Sequence, residues 1–88
     1  MSHQVVITPT ARRDLSKTSP RIIPAIVEFL YGDLAAQPRR VGKPLGRDLA
    51  GTFSARRGPY RILFSLDDAA ETEYVLRVDH RADVYRSR

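Results

Sequence analysis

Two hydrophobic periods divide the chain. In the N-terminal half Ile22, Ile23, Ile26, Val27, Leu30 and Leu34 recur every three or four residues, which lays one apolar face along a helix. In the C-terminal half the period drops to two: Tyr60, Ile62, Phe64 and Leu66 alternate with Arg61, Leu63 and Ser65. Tyr74, Leu76 and Val78 likewise alternate with Val75 and Arg77. Three strands are expected there, at about Thr52–Arg57, Tyr60–Leu66 and Glu73–Asp79, with Gly58-Pro59 turning between the first two and the acidic 67–72 segment between the others. Connections this short make an antiparallel meander.

Upstream, Gln4–Thr8 is β-branched and apolar and reads as a short strand ended by Pro9. Thr10 is the expected N-cap of a helix over Ala11–Lys17. Ser19 then caps the longer helix, with Pro20 at its first position. Pro24 removes an early helical bond, so that helix has either an irregular first turn or a start near Ile23, and it ends before Pro38. Residues 35–51 hold Pro38, Gly42, Pro44, Gly46 and Gly51, too many breakers for a regular element, and read as a long basic loop anchored by Leu45 and Leu49. The expected fold is therefore α+β, a single domain over residues 1–88 in the order β-α-α-β-β-β, with two N-terminal helices packed on a mainly antiparallel sheet.

Setting the apolar rows against the helices leaves Arg61 and Arg77 together on the open face, joined by Arg56 from the preceding strand; a one-residue slip would bury the arginines instead. Charge gives that placement a meaning. The net charge is +5, and of 15 basic residues only Lys17 and Lys43 are lysine, the rest being arginine, whose planar fork suits phosphate. Arg39, Arg40, Lys43, Arg47, Arg56, Arg57 and Arg61 fall in one stretch broken by a single acid, Asp48. A segregated basic face repels itself until an anion or acidic partner neutralises it. The competing reading is an ordinary solvated surface on a basic protein.

Other chemistries are narrowed by composition. With no cysteine there is neither disulfide stapling nor a thiolate nucleophile, and two histidines without clustered carboxylates leave no plan for a metal site. No cofactor is expected. No apolar run approaches the ~20 residues of a membrane span and the start lacks a leader pattern, so a cytoplasmic protein without a membrane partner is expected. At 88 residues the chain buries only roughly 60–65% of its unfolded surface, so its core is small.

The chain end carries His80, Arg81, Asp83 and Tyr85 towards the same sheet edge as Arg61. Cleaving an RNA phosphodiester requires a deprotonated 2′-hydroxyl, a stabilised five-coordinate phosphate and a protonated leaving oxygen. Arg61 and Arg81 suit the phosphate charge, Tyr85 suits stacking on a base, and His80 has the ordinary pKa for proton transfer. Each has a structural rival. Arg61 has Asp79 or Asp83 as possible ion-pair partners, Tyr85 suits sheet-edge packing equally, and alternation puts His80 on the core side unless the strand ends or bulges at Asp79. Arg39, Arg40, Lys43, Arg47, Arg56, Arg57 and Arg77 suit a grip on the phosphate backbone. From the residues alone, a nuclease and a nucleic-acid-binding module stay equally open.

The element order, with Gly58-Pro-Tyr-Arg-Ile-Leu-Phe64 followed by Val78-Asp-His-Arg-Ala-Asp-Val-Tyr85, resembles the RelE/ParE superfamily of toxin–antitoxin toxins over essentially the whole chain. Thr10-Ala-Arg-Arg-Asp-Leu15 and Lys43-Pro-Leu45, with Leu49-Ala-Gly51 after it, fit the same pattern. The RelE branch implies a metal-independent endoribonuclease that cuts mRNA on the ribosome and is silenced by a cognate antitoxin, with DNA reached only through the antitoxin complex. The resemblance implies that Arg61 stabilises the transition state, that Arg81 is a second functional arginine and that Tyr85 orients or stacks on the substrate. Where RelE enzymes carry lysines on the strand before the Gly-x-Tyr-Arg hairpin, this chain has Thr52, Ser54 and Ala55, so the proton-transfer groups differ, with His80 as one substitute. The ParE branch implies a DNA gyrase inhibitor instead, and a non-catalytic RNA-binding relative is a third reading.

Overall fold

The computed structural model describes residues 3–45 and 51–80. Strand β1 (Gln4–Ile7) leads into helices α1 (Pro9–Ser16) and α2 (Ile23–Tyr31), two single-turn helices, α3 (Asp33–Ala36) and α4 (Pro38–Val41), and a two-residue strand β2 (Lys43–Pro44). The meander follows as β3 (Thr52–Arg57), β4 (Tyr60–Asp67) and β5 (Thr72–His80). The sheet order is β1-β5-β4-β3-β2, with β1 parallel to β5 and the other neighbours antiparallel. The α+β class and the mainly antiparallel sheet are as the pattern predicts, and the three meander strands fall within a residue or so of their expected bounds.

The helix starts differ in instructive ways. Thr8, not Thr10, caps α1: its Oγ1 accepts from the Ala11 N–H at 3.3 Å and donates to the Val75 carbonyl at 2.7 Å, so one side chain closes the helix and ties it to β5. Pro9 then occupies the first helical position, where a missing N–H costs nothing; it is a helix start rather than a strand stop. For α2 the later start is correct. The N–H groups of Ile22 and Ile23 both reach the Ser19 carbonyl, and Pro24 falls within the first turn, ahead of the positions that need a donor.

Ile26, Leu30 and Leu34 are buried with Phe29, but Ile22 remains 37% exposed, because the turn ahead of α2 lifts it off the core. Residues 35–45 are less irregular than their breakers suggest. Pro38 opens α4, again at a position where proline is tolerated, and Gly42 ends it where a side chain has no room: a Cβ there would lie 2.6 Å from Cζ of the buried Phe64. Leu45 is half-buried, its N–H bonded to the Thr52 carbonyl at 2.9 Å, while Leu49 lies outside the described residues. Gly58 supplies the positive φ, +60°, of the β3–β4 turn.

On β4 the predicted face is correct, with Ile62 and Phe64 fully buried. On β5 it holds only in part. Leu63 pairs with Arg77, but its neighbour Phe64 pairs with Val75, so Leu76 has no opposite residue and forms a bulge. The extra residue inverts the alternation before it. Val78 lies in the core as expected, whereas Tyr74 and Leu76 are only half-buried and Val75 and Glu73 point inward in their place. The core thus joins Ala11, Ile26, Leu30 and Leu34 from the helices to Ala55, Ile62, Phe64, Val75 and Val78 from the sheet.

Candidate functional site: the open face of the sheet

The β3–β4 turn sets Arg56 directly opposite Arg61, and the β4–β5 ladder sets Arg61 directly opposite Asp79. Cross-strand partners share a face, so Arg56, Arg61 and Asp79 project together. Lys43 on β2 pairs with Ser54 and joins the same face, two positions along β3 from Arg56. These groups meet at a cleft of about 530 Å³ lined by Lys43, Ser54, Arg56 and Arg61, with Val41 and Leu45 as apolar walls. Arg56 and Arg61 are exposed, and neither they nor Lys43 form an ion pair among the described residues. The cleft is therefore a basic recess on a rigid ladder, suited to an anion with some apolar surface.

The other sequence-selected residues separate. Arg39 forms a two-pronged pair with Asp68, at 3.0 and 2.7 Å, and its guanidinium lies 5.7 Å from the centre of the Phe53 ring. Phe53 stacks on buried Phe64, so Arg39 is on the helix side of the sheet, near the far end of β4 from Arg61. The hydrogen bonds with Asp68 raise the Arg39 pKa, and the same bonds lower that of Asp68. Arg40, on the same turn, bonds the Gln37 side chain at 3.3 Å. Arg57 alternates with Arg56 and lines a different cleft, beside Glu28, Phe29 and Asp33. Arg39 and Arg57 therefore do not join the basic recess.

His80 is not brought to Arg61. Strand β5 continues through His80, opposite Tyr60, and the two rings meet edge to face at 5.1 Å on the core side. The break at Asp79 that would turn the imidazole to the open face does not occur. Arg47, Arg81 and Tyr85 lie outside the described residues.

Arg77 emerges on the open face but is engaged. Its Nε donates to Asp14 Oδ2 at 2.8 Å and its Nη2 to Asp79 Oδ1 at 3.1 Å. The hydrogen bond to Asp14, helped by the charges of Asp79 and Asp14, raises its pKa against the opposing effect of burial. Asp14 also accepts the Val78 backbone N–H at 2.9 Å. That bond has a topological cause: β1 pairs with β5 only as far as Val75, and α1 takes over the edge that β1 leaves open. Asp14 and Glu73 are both groups that sequence reasoning passes over. Glu73 is fully buried with neither carboxylate oxygen hydrogen-bonded among the described residues, and burial pushes its pKa up to about 7. Only the position of the bulge reveals it, since without the bulge its side chain would face solvent.

The model of the ParE toxin of type II toxin–antitoxin systems, parDE, matches residues 5–85. The chain belongs to this toxin family. Among its relatives, Toxin RelG of Mycobacterium tuberculosis is 63% identical over 86 residues, covering 98% of this chain and 99% of that one. Toxin RelE of the same organism is 43% identical over 84 residues, covering 96% and 87%. A crystal structure of the toxin–antitoxin complex RelBE2 from M. tuberculosis contains a chain 60% identical with a TM-score of 0.88, covering 92% of this chain and all of that one. The isolated Escherichia coli RelE toxin superposes with a TM-score of 0.73 over 98% of this chain and 94% of its own, at 16% identity, a likeness of fold alone. Both branches of the family are thus represented, the family model by ParE and the near relatives by Rel toxins.

Proposed function

We propose that this toxin is a ribosome-dependent endoribonuclease that cuts mRNA and is neutralised by a cognate antitoxin, as the relative in the RelBE2 complex is paired with its own. The observation that carries the reading is the convergence of Arg61, Arg56 and Lys43 on one cleft, with no ion pair to any of them among the described residues. Arg61 stabilises the charge that develops on the scissile phosphate, and Arg56, directly across the ladder, holds the neighbouring backbone. Lys43 places an ammonium beside Ser54, so β2 supplies a lysine on the face where β3 carries only Arg56; it stabilises or protonates the leaving oxygen. The family resemblance adds two roles, a second phosphate ligand for Arg81 and orienting or stacking on the RNA for Tyr85. Guanidinium and ammonium groups carry the charge, so the reaction needs no metal.

The test is primer extension on mRNA with and without translating ribosomes. New 5′ ends that appear only with ribosomes are the expected result. The second reading, inhibition of DNA gyrase, is favoured by the ParE family match and by Thr52 and Ser54 on β3 in place of lysines. Blocked supercoiling without cleavage would establish it, and RNA binding with neither activity would mark a non-catalytic relative.

A further inference from the structure

Arg61 faces a carboxylate of its own chain. Asp79 is its direct partner across the ladder, and opposite charges at such positions, with Cβ atoms about 5 Å apart, attract. A pair between them would neutralise the guanidinium that the proposed function requires. The structure shows a different arrangement. Arg77 Nη2 takes Asp79 Oδ1 at 3.1 Å, and Arg77 is itself held by Asp14, through Nε at 2.8 Å and Nη2 at 3.4 Å. Asp14 is in turn fixed by the Val78 N–H at 2.9 Å, and its side chain is only 12% exposed.

We infer that Arg77, anchored by Asp14, is a positioning residue: it holds the Asp79 carboxylate away from Arg61 and so keeps Arg61 available to an anionic substrate. Arg77 touches no substrate in this role. It acts through Asp79, and the chain Asp14–Arg77–Asp79 couples the packing of α1 on the edge of β5 to the charge state of the recess. The inference deepens the proposed function and rests on it for its activity readout, but its structural content is separable.

Arg77→Met keeps the aliphatic stem and removes the charge. Ribosome-dependent cleavage is expected to fall about five-fold, the scale of a partly exposed ion pair formed between Asp79 and Arg61. Adding Asp79→Asn in the same chain is expected to restore cleavage to within about two-fold, because the competing carboxylate is gone. A purely structural role for Arg77 would not be rescued by that second change. Independently of any activity, the ¹⁵Nε–¹Hε resonance of Arg61 is expected to shift in Arg77→Met and to return in the double variant. Where Arg77→Met does not fold, Asp14→Asn asks the same question, since the amide oxygen still accepts from Val78 while the anchor's charge is lost. Unchanged cleavage and an unmoved Arg61 resonance in the single variant, or a loss that Asp79→Asn does not repair, overturn the inference. Absence of cleavage by the unmodified toxin overturns the proposed function instead, and the resonance then decides this inference alone.

Discussion

Arg39 and Arg61 belong to the same basic stretch of sequence but do opposite things. Arg61 lies near the start of β4, whereas Arg39 pairs with Asp68 just beyond its end. Arg39 meets Asp68 from the β4–β5 turn and lies over Phe53; its charge is satisfied within the fold. Arg61 has Asp79 opposite, yet that carboxylate is engaged by Arg77. A run of basic residues therefore splits into structural and available cations according to acids supplied by distant segments. The difference is measurable, since changing an available cation alters activity without unfolding the chain.

Arg61→Ala gives the largest effect. Removing a preorganised donor to a developing negative charge costs about 10²–10³-fold in rate, so cleavage is expected to vanish in primer extension. The side chain is exposed, so the thermal midpoint should stay where it is. A variant that unfolds, or one that remains fully active, breaks the contrast with Arg39.

Lys43→Met comes next. If Lys43 assists the leaving oxygen, single-turnover cleavage falls by about 10²-fold with little change in substrate binding. An equal loss in binding and rate would instead assign it to backbone grip, beside Arg56. Either result defines what the lysine of β2 does where β3 has none, a point of chemistry the pairing of β2 with β3 raised and the sequence concealed.

That concealment has a physical basis. The meander was legible because period-two alternation and the Gly58-Pro59 turn are local signals, and they placed Arg56 and Arg61 together correctly. Lys43 reads only as part of a basic loop, because two residues of edge strand carry no period. The bulge at Leu76 was not legible either: one unmatched residue leaves no mark in the apolar pattern, yet it inverts the face of everything before it. The role of Asp14 is hidden for a third reason. Its partners are more than 60 residues away in sequence, and which strand edge α1 covers follows from where β1 stops.

The inverted segment can be tested through Glu73. Its folded pKa, about 7, lies above the ordinary carboxylate value of 4.5 because burial disfavours the charge. The folded state thus binds a proton that the unfolded chain has released. Stability from this group is full below pH 4.5, declines as pH rises towards 7 and stays low above it, a loss of about 3 kcal/mol. Glu73→Gln, which has no proton to lose, should flatten that part of the urea-stability profile between pH 4.5 and 7. A slope that persists unchanged would mean that Glu73 is not the group responsible.

The smallest effect is expected at Arg39, and it tests the other half of the contrast. Arg39 and Asp68 are both exposed, and such pairs contribute little because water and salt already screen them. Arg39→Ala should leave mRNA cleavage within about two-fold of the unmodified toxin. Nor should it change the salt dependence of RNA binding, because a phosphate contact it does not make cannot be lost. Asp68→Asn is the sharper partner experiment: it releases Arg39 without removing it. If cleavage stays unchanged in both variants, the position of Arg39 on the helix side excludes it from the recess whatever its charge partner. If releasing Arg39 raises RNA affinity, the substrate path extends around the sheet edge to Phe53, and the division between structural and available arginines is set by Asp68 rather than by place in the fold.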